Sequence, residues 1–287
     1  MKSHCILAGI DLGADTEKIV SYAACFSAAT KSSVRLLYVI DYLLTPPTYL
    51  MPYIEEEKKR DEGELQRWKA VLDKQGIFSD ALIMMGRLHE SFVKAIEEFS
   101  PDLLVIGYQS HAFRPSSSER LIKSLKMPML VVRGTRADAQ GFCAVKKILC
   151  ALDFSENAQQ ALARAADYAE AFSADLHIVH SIPSHTIKSR WAVWEAIGEA
   201  DKDRFDRHMQ AEAEAELARM IGKAGIQYSG EVLHGNPAET ICDRAEKGGY
   251  DLVVMGARGL SYIQGMLIGS TTEAVLRSSP CPVLIVH

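Results

Sequence analysis

The sequence predicts an α/β protein made of two tandem doubly wound domains, each with a five-stranded parallel sheet and about four helices. Two observations predict this fold. Short apolar runs alternate with segments of helical periodicity along the chain, which is typical of a parallel sheet covered on both faces. The chain also repeats itself: residues 6–11 match residues 148–153, and residues 102–107 match residues 251–256. Repeated blocks that keep their order indicate a duplicated domain.

The repeat also predicts the domain boundaries. The chain has 287 residues, which is enough for two domains of about 100–200 residues each. The stretch between the two copies, residues 133–142, carries Gly134, Gly141 and alternating charges. We therefore expect one domain at residues 1–137 and a second at residues 143–287.

The elements of the second copy follow in order. Residues 147–153 are a continuous apolar run, which predicts a buried strand, and residues 157–172 carry apolar residues at helical spacing. The remaining segments continue the alternation: strand 175–182, helix 190–223, strand 226–234, helix 238–247, strand 251–255, helix 270–278 and strand 282–286. Ligands of such sheets bind beyond the carboxyl ends of the strands, so the loops after Asp153, Ile182 and Met255 are the expected site.

Composition argues against several classes of function. Lys and Arg number 32 and Asp and Glu 37, so the formal net charge of −5 disfavours general binding to nucleic acids or anionic membranes. No apolar run is long enough for a membrane span or a secretory signal, and we expect a cytoplasmic protein. The six cysteines form no C-x-x-C pair, so we expect reduced thiols and no metal site.

A glycine-rich loop follows the fourth strand of the second copy. Gly256 and Gly259 are followed, after nine residues, by Gly269, Ser270 and Thr271. Glycine lets the backbone turn sharply and approach a ligand without a Cβ. A helix that starts after such a loop presents unpaired N–H groups to an anion, and the two hydroxyls can add hydrogen bonds. The pattern therefore predicts a phosphate site.

The same segment also fits a purely structural role. Ser270 and Glu273 match the S-x-x-E capping box, a helix-initiating pattern that the first copy keeps at residues 116–119. The loop of the first copy is shorter, and Pro115 replaces Gly269. Proline lacks the N–H that a phosphate would use. We expect a capping box in both copies and a phosphate site, with Arg258 as a further contact, only in the second.

The pattern G-x2-G-x9-G-[ST] after an apolar strand resembles the nucleotide loop of universal stress proteins. Further segments agree: ALDFSENA at residues 151–158, the strand end at His180-Ser181, the turn at residues 235–237 and PCPVLIV at residues 280–286. The resemblance covers the whole chain as a tandem pair. It implies an adenine nucleotide alpha hydrolase-like fold that binds ATP, with or without Mg²⁺, and acts in the stress response by nucleotide-dependent regulation or scaffolding.

The resemblance also implies roles for individual residues. The glycine loop would hold the ribose and phosphates, residues 151–153 would border the adenosine, and Ser181 would line the adenine pocket. The residues expected to bind ATP are Ala151, Leu152, Asp153, Ser181, Gly256, Arg258, Gly259, Gly269, Ser270 and Thr271. The first copy retains Asp11 but departs from the glycine pattern, so we expect no ATP there.

Two alternatives remain open at this point, a slow ATP hydrolase and a small-ligand sensor that uses the N-terminal domain. The chain has no G-x-x-x-x-G-K-[ST] loop and no G-x-S-x-G elbow. Asp153 has no His close by in sequence, so we expect no catalytic residue and at most weak ATPase activity. In the first copy, His111 and Arg114 favour either an anion site or a solvated polar loop.

Three segments are candidates for contacts with unknown protein partners. Residues 41–60 form a loop rich in proline and aromatic residues, and residues 183–206 contain Trp191 and Trp194. We expect these two segments either to contact a partner or ligand or to cover the core of their domain. Residues 282–286 form an apolar edge strand, which favours pairing with the other domain or with a second chain. A homodimer through the terminal strands is therefore expected.

Overall fold

The computed structural model describes residues 4–41, 50–108, 117–133, 144–183, 199–224, 228, 230–259 and 267–287. These residues fall into two compact units, one that ends at Ala144 and one that begins at Val145. Both units are α/β domains with parallel sheets. The predicted fold class is confirmed.

The first unit alternates strands and helices along the chain. Its elements are β1 (Cys5–Ile10), α1 (Thr16–Thr30), β2 (Ser33–Ile40), α2 (Met51–Lys74), β3 (Ser79–Met85), α3 (Leu88–Phe99), β4 (Leu103–Gly107), α4 (Ser117–Ser124) and β5 (Met129–Val132). The strands pair in parallel in the order β3-β2-β1-β4-β5. The chain winds outward in both directions from β1, which makes the sheet doubly wound.

The second unit repeats this arrangement. Its elements are β6 (Lys147–Leu152), α5 (Glu156–Phe172), β7 (Asp175–Ile182), α6 (Glu199–Lys223), β8 (Gly230–His234), α7 (Pro237–Gly248), β9 (Leu252–Gly256), α8 (Ser270–Ser278) and β10 (Val283–Val286). Its strands are ordered β10-β9-β6-β7-β8, so β6 is the central strand. The switch point of the sheet therefore lies between the carboxyl ends of β6 and its neighbours, where ligands of doubly wound sheets bind.

The core of each unit is the sheet together with the helices on its two faces. In β6, Ile148, Leu149 and Cys150 are completely buried, as are Leu252 and Val253 of β9. Burial of each such Ile, Leu or Val stabilises the fold by about 1.5–3 kcal/mol. Because both sheet faces are covered, the central strands β1, β4, β6 and β9 are almost entirely apolar.

Several element bounds differ from the sequence prediction. The segment at residues 41–60, predicted as a loop, is helical from Met51, the first residue of α2. Pro52 lies in the first turn of this helix, where its missing N–H has no intrahelical partner to lose. Residues 42–49, 184–198 and 225–227 lie outside the described residues, so the loop around Trp191 and Trp194 stays a prediction.

The described cysteines and helices can be compared with the predictions of reduced thiols and of no membrane span. Within the described chain, the thiols of Cys5, Cys25, Cys150, Cys242 and Cys281 form no disulfide. Complete burial raises the pKa of the Cys150 thiol, so this group is neutral. A search of the described helices finds none that combines the length and the hydropathy needed to cross a membrane.

Candidate functional site

The carboxyl ends of β6, β7 and β9 meet at one edge of the second sheet. Leu152 pairs with His180 across β6 and β7, and Ala151 pairs with Met255 across β6 and β9. Asp153, just after β6, and Ser181, near the end of β7, therefore lie side by side at this edge. A cavity of about 590 Å³ lies at this edge, and its lining includes all ten residues that the sequence predicts to bind ATP. Their role in binding stays a prediction.

Asp153 organises the turn from β6 into α5. Its Oδ1 accepts hydrogen bonds from the hydroxyl of Ser155 at 2.7 Å and from the backbone N–H of Ser155 at 3.3 Å. The Ser155 hydroxyl in turn caps α5 by accepting a hydrogen bond from the N–H of Ala158 at 3.2 Å. Phe154, between them, has a left-handed φ of 65°. The turn thus holds the Asp153 carboxyl group at the cavity wall.

The glycine loop packs directly against this carboxyl group. A Cβ on Gly259 would collide with Oδ2 of Asp153, so only glycine fits this position without a shift of its neighbour. The Ser155 hydroxyl also lies 3.5 Å from the backbone oxygen of Arg258, which it can reach as a donor. These contacts join the β6 turn to the loop after β9 and give one continuous wall.

The α8 helix does not begin with a capping box, so the prediction that Ser270 caps this helix is wrong. Gly269 is the N-cap residue, with φ −76° and ψ 156°, and its side-chain position offers no cap hydrogen bond. Its N–H donates to the oxygen of Ala257 at 2.8 Å, while its own carbonyl accepts from the N–H of Glu273 at 2.9 Å. With Gly269 held next to the end of β9 in this way, the helix begins one residue earlier than it would with Ser270 as the N-cap. Ser270 is therefore the first helical residue, at the cavity wall.

The Glu273 and Arg258 side chains serve the loop and helix in other ways. The carboxyl group of Glu273 accepts a hydrogen bond from Arg277 at 2.8 Å, one turn further along α8. Arg258 donates from Nε to the carbonyl oxygen of Leu267 at 3.3 Å. Arg258 therefore helps to fasten the ends of the glycine loop together, a role that the sequence did not predict.

A polar helix N-terminus at a cavity can hold an anion. The first N–H groups of a helix have no intrahelical acceptor, and the helix dipole adds partial positive charge there. Gly269, Ser270, Thr271 and Thr272 all line the cavity. The Thr272 hydroxyl donates to the carbonyl of Gly256 at 3.0 Å and so ties the helix start to the end of β9. This corner of the cavity is suited to a phosphate.

The opposite wall is formed by the end of β7. His180 donates from Nδ1 to the carbonyl oxygen of Leu152 at 2.8 Å, and its ring stacks on Phe154 with centroids 4.1 Å apart. Burial lowers the pKa of His180, although the Leu152 carbonyl and the charge of Asp153 act in the opposite direction. The imidazole is therefore neutral near pH 7. The next residue, Ser181, lines the cavity.

Helices α6 and α7 form a part of the cavity lining that was not predicted from the sequence. Met209, Ala213 and Glu216 of α6, together with Pro237 and Ile241 of α7, face the cavity. The α6 residues follow the i, i+4, i+7 spacing of one helix face. The spacing is present in the sequence, but α6 is mostly polar and nothing in its composition distinguishes this face from the others.

The first unit has a smaller cavity at the equivalent strand ends. Its volume is about 270 Å³, and Asp11, Asp15 and Asp41 are among the lining residues. The ring of Phe92 lies in this cavity, and a Cβ on Gly9 would come within 2.5 Å of it. The residues that replace the glycine loop here, 109–116, lie outside the described residues, so the loss of the phosphate loop stays a prediction.

Comparison with known proteins identifies the family. The model of the universal stress protein family matches residues 3–133 and again residues 144–287. The chain belongs to this family. A universal stress protein of Synechocystis sp. is 31% identical over 292 residues, which cover 92% of each chain. A universal stress protein of Thermus aquaticus is 34% identical over 146 residues, which cover 50% of this chain and 98% of that protein.

A solved structure supports the tandem arrangement of this universal stress protein. The crystal structure of a universal stress protein from Archaeoglobus fulgidus DSM 4304 covers 100% of this chain, and this chain covers 99% of it. The TM-score is 0.72 and the sequence identity is 23%, so this likeness bears on the fold alone. The two family matches confirm the predicted tandem universal stress protein.

Proposed function

We propose that the second unit binds ATP, and that the chain acts in the stress response by nucleotide-dependent regulation or scaffolding. The observation that carries this proposal is the cavity of about 590 Å³ with a helix N-terminus at one wall. Small-molecule sites usually have volumes of about 300–1,000 Å³ and a few well-placed polar groups in an apolar lining. The cavity meets both conditions.

The two walls suit the two ends of a nucleotide. Next to Gly269, Ser270 and Thr271 offer N–H groups and hydroxyls to phosphates without a cluster of cationic side chains. Val179 and Ile241 add apolar surface, which suits a base. Between these walls, Asp153 is placed to accept hydrogen bonds from ribose hydroxyls.

Mg²⁺ fits this proposal only as a companion of the phosphates. Mg²⁺ usually binds through substrate phosphates, waters and one or two carboxylates. Three carboxylates line the cavity, those of Asp153, Glu212 and Glu216. No group of three or more potential ligands is assembled among the described residues. We therefore propose that any Mg²⁺ enters with ATP.

The first unit is proposed not to bind ATP. Its cavity of about 270 Å³ lies below the usual range of about 300–1,000 Å³ for small-molecule sites. The domain limits of 1–137 and 143–287, a cytoplasmic location and a homodimer through terminal strands remain proposals, and light scattering of the purified chain tests the dimer.

Isothermal titration of the full chain with ATP tests the central proposal. In Gly269→Ala the new methyl would lie 3.7 Å from the Gly259 nitrogen, an ordinary contact that the fold tolerates. That methyl would stand beside the backbone groups proposed to bind phosphate. A phosphate displaced by this methyl would lose a charge-assisted hydrogen bond to neighbouring groups, which is worth about 1.5–3 kcal/mol, so we expect ATP affinity to fall at least about tenfold.

Gly222→Ala is the matched control for this titration. Gly222 lies in α6, and a Cβ there would meet no atom within 4 Å. We expect this variant to bind ATP like the wild type. Absence of ATP binding to the wild type, or equal binding by the wild type and Gly269→Ala, would contradict the proposal. A thermal scan of each variant shows that the fold is retained.

Hydrolysis of ATP is proposed to be weak at most. Oδ1 of Asp153 already accepts two hydrogen bonds from Ser155, which suits an orienting group better than a general base. Phosphate release measured with ATP and Mg²⁺ over hours tests this point. Release that exceeds the protein-free rate and is abolished in a folded Asp153→Ala variant would instead indicate a hydrolase.

A further inference from the structure

The first half of α6, residues 203–216, contains no buried residue. All of these residues are described, and each is exposed or half-buried; the Phe205 side chain is 42% exposed. Burial begins at Leu217 and continues at Met220 and Ile221. Segments with few buried contacts open locally at a lower free energy than the core does. The first half of α6 is therefore weakly anchored to its unit.

The first unit shows that this fold can anchor the same helix along its length. Helix α2 joins the second and third strands of its unit, as α6 does in the second unit. Residues 54–67 of α2 correspond to the first half of α6 when the two helices are aligned at their last residues. In α2, Ile54 and Leu65 are buried, whereas Asp203 and Glu214 take these places in α6 and are exposed. The weak anchoring is thus specific to the unit with the larger cavity.

A polar contact between the first half of α6 and the sheet is open to solvent. His234, the last residue of β8, donates from Nε2 to Oε1 of Gln210 at 2.7 Å, and this hydrogen bond is exposed. At the corresponding place in α2, Asp61 is buried and accepts a hydrogen bond from Tyr38. Water competes for an exposed hydrogen bond, so the contact of Gln210 adds little to the anchoring of α6.

The same half of α6 forms one wall of the cavity of about 590 Å³. Met209, Glu212, Ala213 and Glu216 line this cavity. A ligand in the cavity would cover Met209 and Ala213, which are half-buried in the structure. Burial of their apolar surface then stabilises the present position of the helix. A ligand that contacts one arrangement of a segment and not another shifts the equilibrium towards the first.

We propose that the first half of α6 is a lid, which nucleotide in the second cavity holds closed and which opens when the cavity is empty. This inference rests on the proposed function, because it takes the cavity to be the nucleotide site. The structure shows the closed arrangement, in which α6 begins at Glu199. Opening breaks only contacts made before Leu217, where burial begins. Such a lid gives nucleotide-dependent regulation a physical basis, since a partner meets a different surface in each arrangement.

Hydrogen exchange of the full chain, measured by mass spectrometry with and without ATP, tests the lid. Without ATP, we expect the protection factors of residues 203–216 to be at least about tenfold lower than those of residues 54–67 in α2. Saturating ATP is expected to raise them at least about tenfold, because it stabilises only the closed arrangement, and to leave residues 54–67 unchanged. Equal protection of the two segments without ATP, or no effect of bound ATP on residues 203–216, overturns the inference.

Two alanine-to-glycine substitutions distinguish a lid from a fixed helix. Ala211 and Ala218 are both exposed, and neither is among the described residues that line the cavity, but Ala218 lies in the anchored half of α6. Glycine lowers helix formation about fivefold at either position. We expect Ala211→Gly to weaken ATP binding about two- to fivefold in isothermal titration and to leave the midpoint of urea unfolding unchanged, because the lid closes only on nucleotide. Ala218→Gly is expected to lower that midpoint by about 0.3–0.5 M and to bind ATP like the wild type.

The outcomes also separate this inference from the proposed function. ATP binding that is weakened in Gly269→Ala but does not change the exchange of residues 203–216 leaves the function standing and overturns only the lid. An Ala211→Gly variant that loses as much stability as Ala218→Gly, and binds ATP like the wild type, would show a fixed helix and overturns the lid as well. No binding of ATP to the wild type overturns both the function and the lid.

Discussion

At the scale of single residues, Asp153 and Gly259 explain how a turn and a distant loop form one wall. Ser155 holds one carboxyl oxygen of Asp153, and the backbone of Gly259 fits closely against the other. Any side chain on Gly259 would enter the space that this oxygen occupies. Packing against Asp153 therefore requires glycine at position 259, whereas position 269 has room for a methyl group.

This difference predicts that two glycine substitutions lower the stability by different amounts. Gly259→Ala forces Asp153 to move, and overpacking of this kind costs about 1–3 kcal/mol. Gly269→Ala makes only ordinary contacts, and the loss of a glycine N-cap costs about 0.5–1 kcal/mol. Urea unfolding of both variants measures these free energies. A Gly259→Ala variant as stable as Gly269→Ala would contradict the packing of Asp153 against the loop.

A second pair of residues gives the first unit a dependence on pH. Tyr38 donates a hydrogen bond to Asp61, whose side chain is buried in α2. Burial, and then the charge and the hydrogen bond of Asp61, raise the pKa of Tyr38 from 10.0 to about 12. The folded chain therefore holds this proton more tightly than the unfolded chain does.

The sign of this shift predicts a loss of stability at high pH. Stabilisation from the tyrosine proton is fully present below pH 10 and is lost as the pH rises towards 12. We expect the free energy of unfolding of Tyr38→Phe to fall less over this range than that of the wild type. The pKa of Tyr250 is also raised, so only the difference between the two proteins reports on Tyr38. Parallel curves would contradict the assignment.

At the scale of elements, side-chain caps fix where two helices of the second unit, α5 and α7, begin. Asn236 precedes α7, and its Oδ1 accepts hydrogen bonds from the N–H groups of Ala238 at 3.0 Å and Glu239 at 3.4 Å. Pro237 follows in the first turn, where proline is well tolerated. Because Pro237 and Ile241 line the cavity, this cap also positions part of its wall.

Loss of the α7 cap is expected to be measurable. Replacement of an asparagine N-cap by alanine costs about 0.5–2 kcal/mol, so Asn236→Ala should lower the free energy of unfolding by about 1 kcal/mol. Asn236→Asp keeps an acceptor at the same place and should stay close to the wild type. Urea unfolding compares the two. Equal losses in both variants would show that the amide oxygen does not cap the helix.

The same elements show how far the sequence determines the structure. The strand ending at Leu152 and the helix ending at Phe172 follow directly from apolar spacing, because burial on a sheet requires that spacing. The start of α8 does not, since it depends on a hydrogen bond from Gly269 to Ala257 at the end of β9. Contacts between residues far apart in sequence, such as Asp153 with Gly259, leave no local pattern.

At the scale of the whole molecule, one fold occurs twice with different strand ends. The repeat, the glycine loop and the ten expected site residues were all visible in the sequence, and those residues line one cavity. The contribution of α6 to that cavity was not visible, because it depends on how a polar helix packs over the sheet. The difference in cavity volume, about 590 Å³ against about 270 Å³, likewise depends on packing between residues far apart in sequence, such as Gly9 and Phe92.

The central claim is that the chain has a single nucleotide site, in its second unit. Native mass spectrometry of the full chain, titrated with ATP, counts bound nucleotides directly. One ATP is expected for each wild-type chain, and a clearly lower occupancy is expected for Gly269→Ala at the lowest concentration that saturates the wild type, with Gly222→Ala unchanged. Two ATP molecules for each chain, or none, would contradict it.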